Sequence, residues 1–281
     1  MKTSRLLIVI MGLCAAVEVW AQLIAYDNLS GYTSGTINGQ GQGIGWTGNW
    51  STASSSIFSA VPASDLTYTG LTGATGLGQT NAFKGAGLGR YFPAVSSGTL
   101  YFGALVQYQS TYSGIRLIAV EGPGEGNSGF VSLGQYGSNP YSAYTTLQYL
   151  DARPISGDVA SQTGQSSGIS ITTQTVYLVG KIQFNTSGTS DSIWFWVNPS
   201  SASDLQNTAN YNASLINPYD IGSIGRFHVY VDHPSSGFYF DEVRVSTAAA
   251  DMFGAIPEPS TYAALVGIIV LGVAAWRRRR T

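Results

Sequence analysis

The sequence predicts an all-β fold, two antiparallel sheets packed as a jelly-roll sandwich, with a short apolar segment at each end of the chain. Three observations point there. Apolar and polar residues alternate at a period of two in several separate runs. Clusters of Gly, Ser, Asn and Pro stand between those runs. No stretch between the two apolar ends has a long helical period. With 35 glycines, 12% aromatic and only 10% charged residues in 281, the composition suits a β protein with many turns.

The runs follow in chain order. Leu100, Phe102, Ala104, Val106 and Tyr108 share a face of the first. In Val176–Asn185, Val176, Leu178, Ile182 and Phe184 oppose Tyr177, Lys181, Gln183 and Asn185. The turn Asn185-Thr186-Ser187-Gly188 joins this run to the next as a long hairpin, in which Ile193, Phe195 and Val197 oppose Trp194, Trp196 and Asn198. Phe227, Val229 and Val231 oppose His228, Tyr230 and Asp232, and the turn cluster Asp232 to Gly237 follows. The last run changes phase, with Phe238 and Phe240 in one register and Val243 and Val245 in the other. A bulge near Asp241-Glu242 reconciles the two. No fixed-period repeat is present, which argues against a solenoid or propeller.

Both ends read as targeting segments. Residues 1–21 have a charged start (Lys2, Arg5), an apolar stretch Leu6–Val17 and small residues in Val19-Trp20-Ala21, which predicts a secretory signal peptide cut by signal peptidase before Gln22. The alternative is an uncleaved N-terminal anchor. The only cysteine, Cys14, lies in this segment behind Leu13, so neither a lipid attachment nor a disulfide in the mature chain is expected. At the other end stand Pro257-Glu258-Pro259, the uncharged run Tyr262–Trp276 and the basic tail Arg277, Arg278, Arg279 and Arg280. As a helix that run spans about 22 Å, short against the ~30 Å of a hydrocarbon core, but flanking residues and the snorkelling arginine stem extend it. Four arginines hold the C-terminus in the cytoplasm and leave everything upstream outside.

This order of a proline-bracketed acid, a marginal transmembrane helix and a basic stop resembles the PEP-CTERM sorting signal of Gram-negative bacteria that secrete exopolysaccharide. The resemblance implies that residues 256–281 are a sorting signal. Pro257, Glu258 and Pro259 would be the motif read by an exosortase, Tyr262–Trp276 the segment in the inner membrane, and Arg277–Arg280 the stop. The alternative is a plain membrane anchor that no enzyme cuts.

Between the ends, residues 22–255 are a suitable length for one β domain. Six of the 13 basic residues sit in the terminal segments, leaving seven in the middle against 13 of the 15 acidic ones, a net charge of −6. A domain so poor in Lys and Arg gains nothing from phosphates, which argues against a nucleic-acid partner. Gly43-Ile44-Gly45-Trp46-Thr47-Gly48-Asn49-Trp50, the hairpin Tyr177–Asn198 with Lys181 and Trp196–Pro199, and the closing Phe240–Thr247 are similar to stretches of other PEP-CTERM proteins. That resemblance implies a concanavalin A-like (LamG-type) sandwich of unassigned function. After Thr247, where relatives often carry a Trp, this chain has Ala248-Ala249-Ala250.

Candidate sites are few. Asp241 and Glu242 are adjacent and on a regular strand point to opposite faces. The Glu-x-Asp-x-x-Glu type of pattern of glycoside hydrolases with this architecture does not occur. A cap or an ion pair with Arg244 is the favoured reading, and no catalytic residue is assigned. Glu121, Glu125 and Asn127 stand in a Gly-rich turn and are weak calcium candidates, since calcium takes several oxygens; a solvated loop is favoured, and no cofactor is expected. His228, His233 and Asp232 have poor spacing for zinc and read as an ordinary surface strand and turn. Neither a Gly-x-Ser-x-Gly elbow nor a phosphate loop occurs. Trp194, Trp196 and Tyr177 lie opposite the aliphatic face of their hairpin, with Tyr230 placed similarly on its own strand. An exposed aromatic row of this kind stacks on sugar rings; the competing reading has loops covering that face. Trp46 and Trp50 read as an internal plug under a sheet edge. The expectation is a noncatalytic exported protein of the envelope or exopolysaccharide matrix. The alternatives are a lectin-like carbohydrate-binding module and, less favoured, a polysaccharide hydrolase.

Overall fold

The computed structural model describes residues 23–52, 57–61, 64–71, 77–80, 83–111, 114–123, 130–135, 144–150, 162–185, 191–216, 220–233 and 237–254. The signal-peptide segment and the sorting segment lie outside the described residues. No helix among the described residues is long and apolar enough to cross a membrane.

The strands are β1 (Leu23–Asp27), β2 (Gly35–Thr36), β3 (Phe58–Val61), β4 (Leu77–Thr80), β5 (Phe83–Val95), β6 (Gly98–Tyr108), β7 (Ile115–Glu121), β8 (Phe130–Gln135), β9 (Tyr144–Leu150), β10 (Gln162–Ser170), β11 (Thr175–Phe184), β12 (Ser192–Val197), β13 (Ala213–Ile216), β14 (Ile224–His233) and β15 (Phe238–Ser246). A short helix α1 (Ala202–Gln206) and a 3-10 turn (Ala249–Met252) complete the described elements. They form a nine-stranded sheet in the order β13-β12-β11-β6-β15-β4-β3-β2, with β1 also on β15, and a six-stranded sheet in the order β10-β9-β8-β7-β14-β5. All-β architecture with antiparallel sheets is what the alternation predicted. The β11–β12 hairpin forms in register, Leu178 opposite Val197 and Ile182 opposite Ile193.

Alternation also decides which side chains meet between the sheets. Phe102, Ala104 and Val106 of β6, Leu178 and Ile182 of β11, and Ile193 and Phe195 of β12 share one core with Ile118 and Val120 of β7, Leu133 of β8, and Phe227 and Val229 of β14. Each buried Val, Leu, Ile or Phe here contributes about 1.5–3 kcal/mol, so this interior stabilises the domain without a disulfide.

The bulge is where the phase change put it. The register of β15 against β6 shifts between Asp241 and Arg244, and Glu242 takes φ of 51°, a left-handed conformation rare for a residue with a Cβ. Phe238 and Phe240 on one side and Val243 and Val245 on the other thereby enter the same core. The extra residue is what keeps both halves of the strand facing inward.

The outer face of the nine-stranded sheet is covered. Leu66 and Leu71 from the connection between β3 and β4, Leu205 of α1, and Ala249 and Met252 of the 3-10 turn pack on Tyr101, Leu105, Tyr177, Val179 and Trp196. This second cluster sets the environment of the aromatic residues singled out above.

Candidate functional site

Side chains of β11 and β12 alternate as expected, so Tyr177, Trp194 and Trp196 share the outer face of the nine-stranded sheet. The expectation of an exposed row is corrected. Tyr177 and Trp196 are 0% and 1% exposed, because the loop, helix and 3-10 turn just described lie on them. Tyr177 donates its hydroxyl to the Met252 carbonyl at 2.6 Å, its ring lies 5.5 Å from that of Tyr68, and burial pushes the phenol well above its ordinary range. Trp196 Nε1 has no hydrogen-bond partner among the described residues. Trp194 is half-buried, with the Lys181 ammonium 4.9 Å from its ring centroid; burial lowers the Lys181 pKa. Tyr230 does not join them. It sits on β14 of the other sheet, buried beside Leu117, Ala119 and Phe130.

The adjacent acids of β15 are inward-bonded. Glu242 pairs with Arg244, Oε2 to Nη2 at 2.5 Å, and accepts the Tyr26 hydroxyl on Oε1 at 2.9 Å. Arg244 also donates to the carbonyls of Asp251 at 3.0 Å and Gly254 at 3.1 Å. The favoured ion pair is therefore present. It fastens the end of the described chain onto the sheet. Asp241 accepts the Glu242 amide on Oδ1 at 2.6 Å and the Leu66 amide on Oδ2 at 3.3 Å, and burial holds its carboxyl well above the ordinary range.

Glu121 is also corrected. It closes strand β7 and does not belong to the turn, and its carboxylate meets the Arg226 guanidinium at 2.7 Å with both side chains 2% exposed. Glu125 and Asn127 lie outside the described residues. Arg226 stacks over Tyr91 at 5.1 Å. It reaches that position across Gly89, where a Cβ would overlap its guanidinium. Backbone glycine is needed here for space. His228 is buried, contrary to the surface strand expected, with its ring 6.0 Å from Phe130 and 6.2 Å from Tyr230. Among the described residues no three His, Cys, Asp or Glu side chains come together as a metal site would require.

Two further clusters were not singled out by sequence. Asp27, at the end of β1, meets Arg90 of β5 at 2.5 Å, takes the Tyr32 hydroxyl at 2.5 Å and the Trp50 Nε1 at 3.0 Å on the same oxygen, and accepts the Leu29 amide on the other at 2.8 Å. Burial pushes its carboxyl up, and these donors pull it back. Arg90 donates to the carbonyls of Gln42 and Gly48 and lies 5.0 Å from the Trp46 ring. The Gly-rich loop is thus wound around an ion pair, with Trp50 buried as a plug. Its signal was a lone acid closing an apolar strand and a lone Arg in a Gly-rich one. The other cluster is Arg116, buried between the sheets, bonded to Gln135 and 5.0 Å from the Tyr108 ring. Burial brings its pKa down to about 10, so it stays charged at neutral pH.

No protein-family model matches the chain, and no curated protein does either. Solved structures with a similar outline include a glycosyl hydrolase family protein from Mycobacterium fortuitum (10% identity, TM-score 0.45, 79% of this chain and 99% of that one). A beta-1,3-glucanase from Mycobacterium marinum is similar at 10% identity and a TM-score of 0.43 over 79% and 98%. The metal-free carbohydrate recognition domain of Emp46p follows at 9% identity and a TM-score of 0.40 over 72% and 90%. Likeness at this level carries no activity across.

Proposed function

We propose that the chain is a noncatalytic exported β-sandwich, delivered to the cell envelope or to an exopolysaccharide matrix through its C-terminal sorting signal. The observation that carries this reading is the pair of terminal segments in the sequence, a charged and apolar start before Gln22 and Pro257-Glu258-Pro259 followed by an apolar run and four arginines, around a domain of antiparallel strands. The first described strand pairs with the last, Leu23 opposite Ser246, an arrangement compatible with processing at both ends. A signal peptidase would release one end and an exosortase in the inner membrane would act on the other.

The noncatalytic part rests on how the acids are used. Two-carboxylate hydrolysis needs a pair held about 5–9.5 Å apart with the sugar between them. Among the described residues, Asp27, Glu121 and Glu242 are each committed to a buried arginine, and Asp241 to two backbone amides. Replacing Pro257, Glu258 and Pro259 by alanine should leave an unprocessed membrane-held form. Unchanged processing and secretion of that variant contradicts the sorting role. Hydrolysis of any member of a β-glucan panel contradicts the noncatalytic one.

A second reading, a lectin-like carbohydrate-binding module, keeps one observation in its favour: Trp194 retains part of its ring at the surface beside Lys181. A glycan array probed with the parent and with Trp194→Ala decides it. No binding by the parent removes this reading.

A further inference from the structure

We propose that Tyr101, Lys181 and Trp194, on the outer face of the nine-stranded sheet, form a site for a sugar bearing a carboxylate, one unit of a uronic-acid polysaccharide. This rests on the carbohydrate-binding reading of Trp194 and gives that reading its ligand class. Strand register lays the site out. Tyr101 of β6, Lys181 of β11 and Trp194 of β12 stand side by side in one row, with Ser214 of the edge strand β13 next to Trp194. On one side the row of Gly103, Val179 and Trp196 lies under the cover that includes Leu66, Leu205 and Met252. On the other side stand Thr99, Gln183, Ser192 and Ile216, none of them buried and Ile216 55% exposed. The cover therefore stops at the Lys181 row, where Lys181 and Trp194 are half-buried.

Charge sets this row apart. Arg90, Arg226 and Arg244 each meet a carboxylate, and Arg116 is bonded to Gln135. The Lys181 ammonium has neither an ion pair nor a hydrogen bond among the described residues. It lies 4.9 Å from the Trp194 ring centroid and 5.9 Å from that of Tyr101. The two rings attract it, but they do not replace the acceptors that its three N–H donors find in water. Burial accordingly lowers its pKa. The acids nearest the row are engaged elsewhere: Asp191 accepts the amides of Asn185 and Ile221, and Asp251 accepts the Ser246 hydroxyl.

These groups select the ligand. The part of the Trp194 ring at the surface offers an apolar face to the C–H side of a pyranose. A carboxylate on the rim of that pyranose accepts from the ammonium beside the ring, a charge-assisted bond. Gln183, bonded to the Thr99 hydroxyl and the Gly98 carbonyl, is a fixed polar border. A neutral sugar stacks on the same ring but shields the ammonium from water without supplying a counter-charge, so the acid is preferred. With a net charge of −6 between the two ends of the chain, overall charge does not draw a polyanion in; the attraction has to come from this row. A lysine that merely covers the rings with its stem keeps its head in water, and its charge would then not matter to binding.

Titration calorimetry of the full chain, purified in detergent, with polygalacturonate at about 0.15 M salt tests this. The fully methyl-esterified polymer is the same chain without charge, and dextran sulfate controls for charge alone. Wild type should bind polygalacturonate about tenfold or more tighter than either. Lys181→Met, which keeps the stem and removes the charge, should lose that preference, and Lys181→Arg should keep it. Trp194→Ala should weaken binding about tenfold or more. No binding of polygalacturonate by wild type, equal binding of the ester, equal or tighter binding of dextran sulfate, or an unchanged preference in Lys181→Met overturns the proposal. Equal binding of acid and ester that is lost in Trp194→Ala leaves the carbohydrate-binding reading standing; no binding of any glycan removes both.

Discussion

Asp27 and Arg90 join the two sheets. Their side chains meet at 2.5 Å, one on β1 of the nine-stranded sheet and the other on β5 of the six-stranded sheet, with 0% and 4% of each side chain exposed. Tyr32 and Trp50 close around the carboxylate. A buried pair is not an efficient source of net stability, but removing one partner strands the other charge. Arg90→Met or Asp27→Leu alone should cost about 3–5 kcal/mol, and the double variant less than the sum of the two. Chemical denaturation of the four proteins measures the cycle. Additive single costs would show that the pair is not coupled.

The Glu242 bulge invites a related test. Glu242 sits at φ 51° and bonds to both Arg244 and Tyr26. Tyr26→Phe removes one hydrogen bond and should cost about 1 kcal/mol. Glu242→Gly relaxes the backbone but leaves the Arg244 guanidinium without its counter-charge, so it should be the more damaging change, by about 2 kcal/mol or more. A neutral Glu242→Gly would mean that backbone strain outweighs the ion pair.

Trp196 and Trp194 should separate in stability. Trp196 is buried in the second cluster and its truncation to Ala should cost about 3–5 kcal/mol, as large core deletions do. Trp196→Phe should cost far less, since it also removes an indole N–H that has no partner among the described residues. Half-buried Trp194 should tolerate Ala better. The thermal midpoints of the three variants rank them.

Acid and alkali act differently on Asp241. Its folded-state pKa is raised, so its contribution is fully present below the ordinary carboxylate range and is lost as pH rises through the folded value. Unfolding free energy measured against pH should therefore decline across that window in wild type and decline less in Asp241→Asn. The same slope in both proteins would assign the decline to another group.

The sandwich core was legible because alternation survives wherever one face is buried, and the slip between Phe240 and Val243 was enough to place the bulge. Period two could say that Trp194, Trp196 and Tyr177 share a face but not what lies on it. Their cover comes from residues 64–71, α1 and the 3-10 turn, none of which repeats in a readable pattern. Glu121 was misplaced because Gly-Pro-Gly follows it directly and the turn signal swamped the end of an apolar strand. The bond from the Leu66 amide to Asp241 joins residues far apart in sequence, and Leu66 stands in a Ser/Thr-rich stretch without a local signature. The proposed sorting signal rests on its three-part order alone, in residues outside the described ones.

Mass spectrometry of the two ends of the native protein bears most directly on the proposed export and sorting. The account predicts a molecule recovered from the envelope or the medium that begins at Gln22 and lacks the Tyr262–Arg280 tail. A cytosolic molecule with Met1 and the four arginines still in place would contradict it.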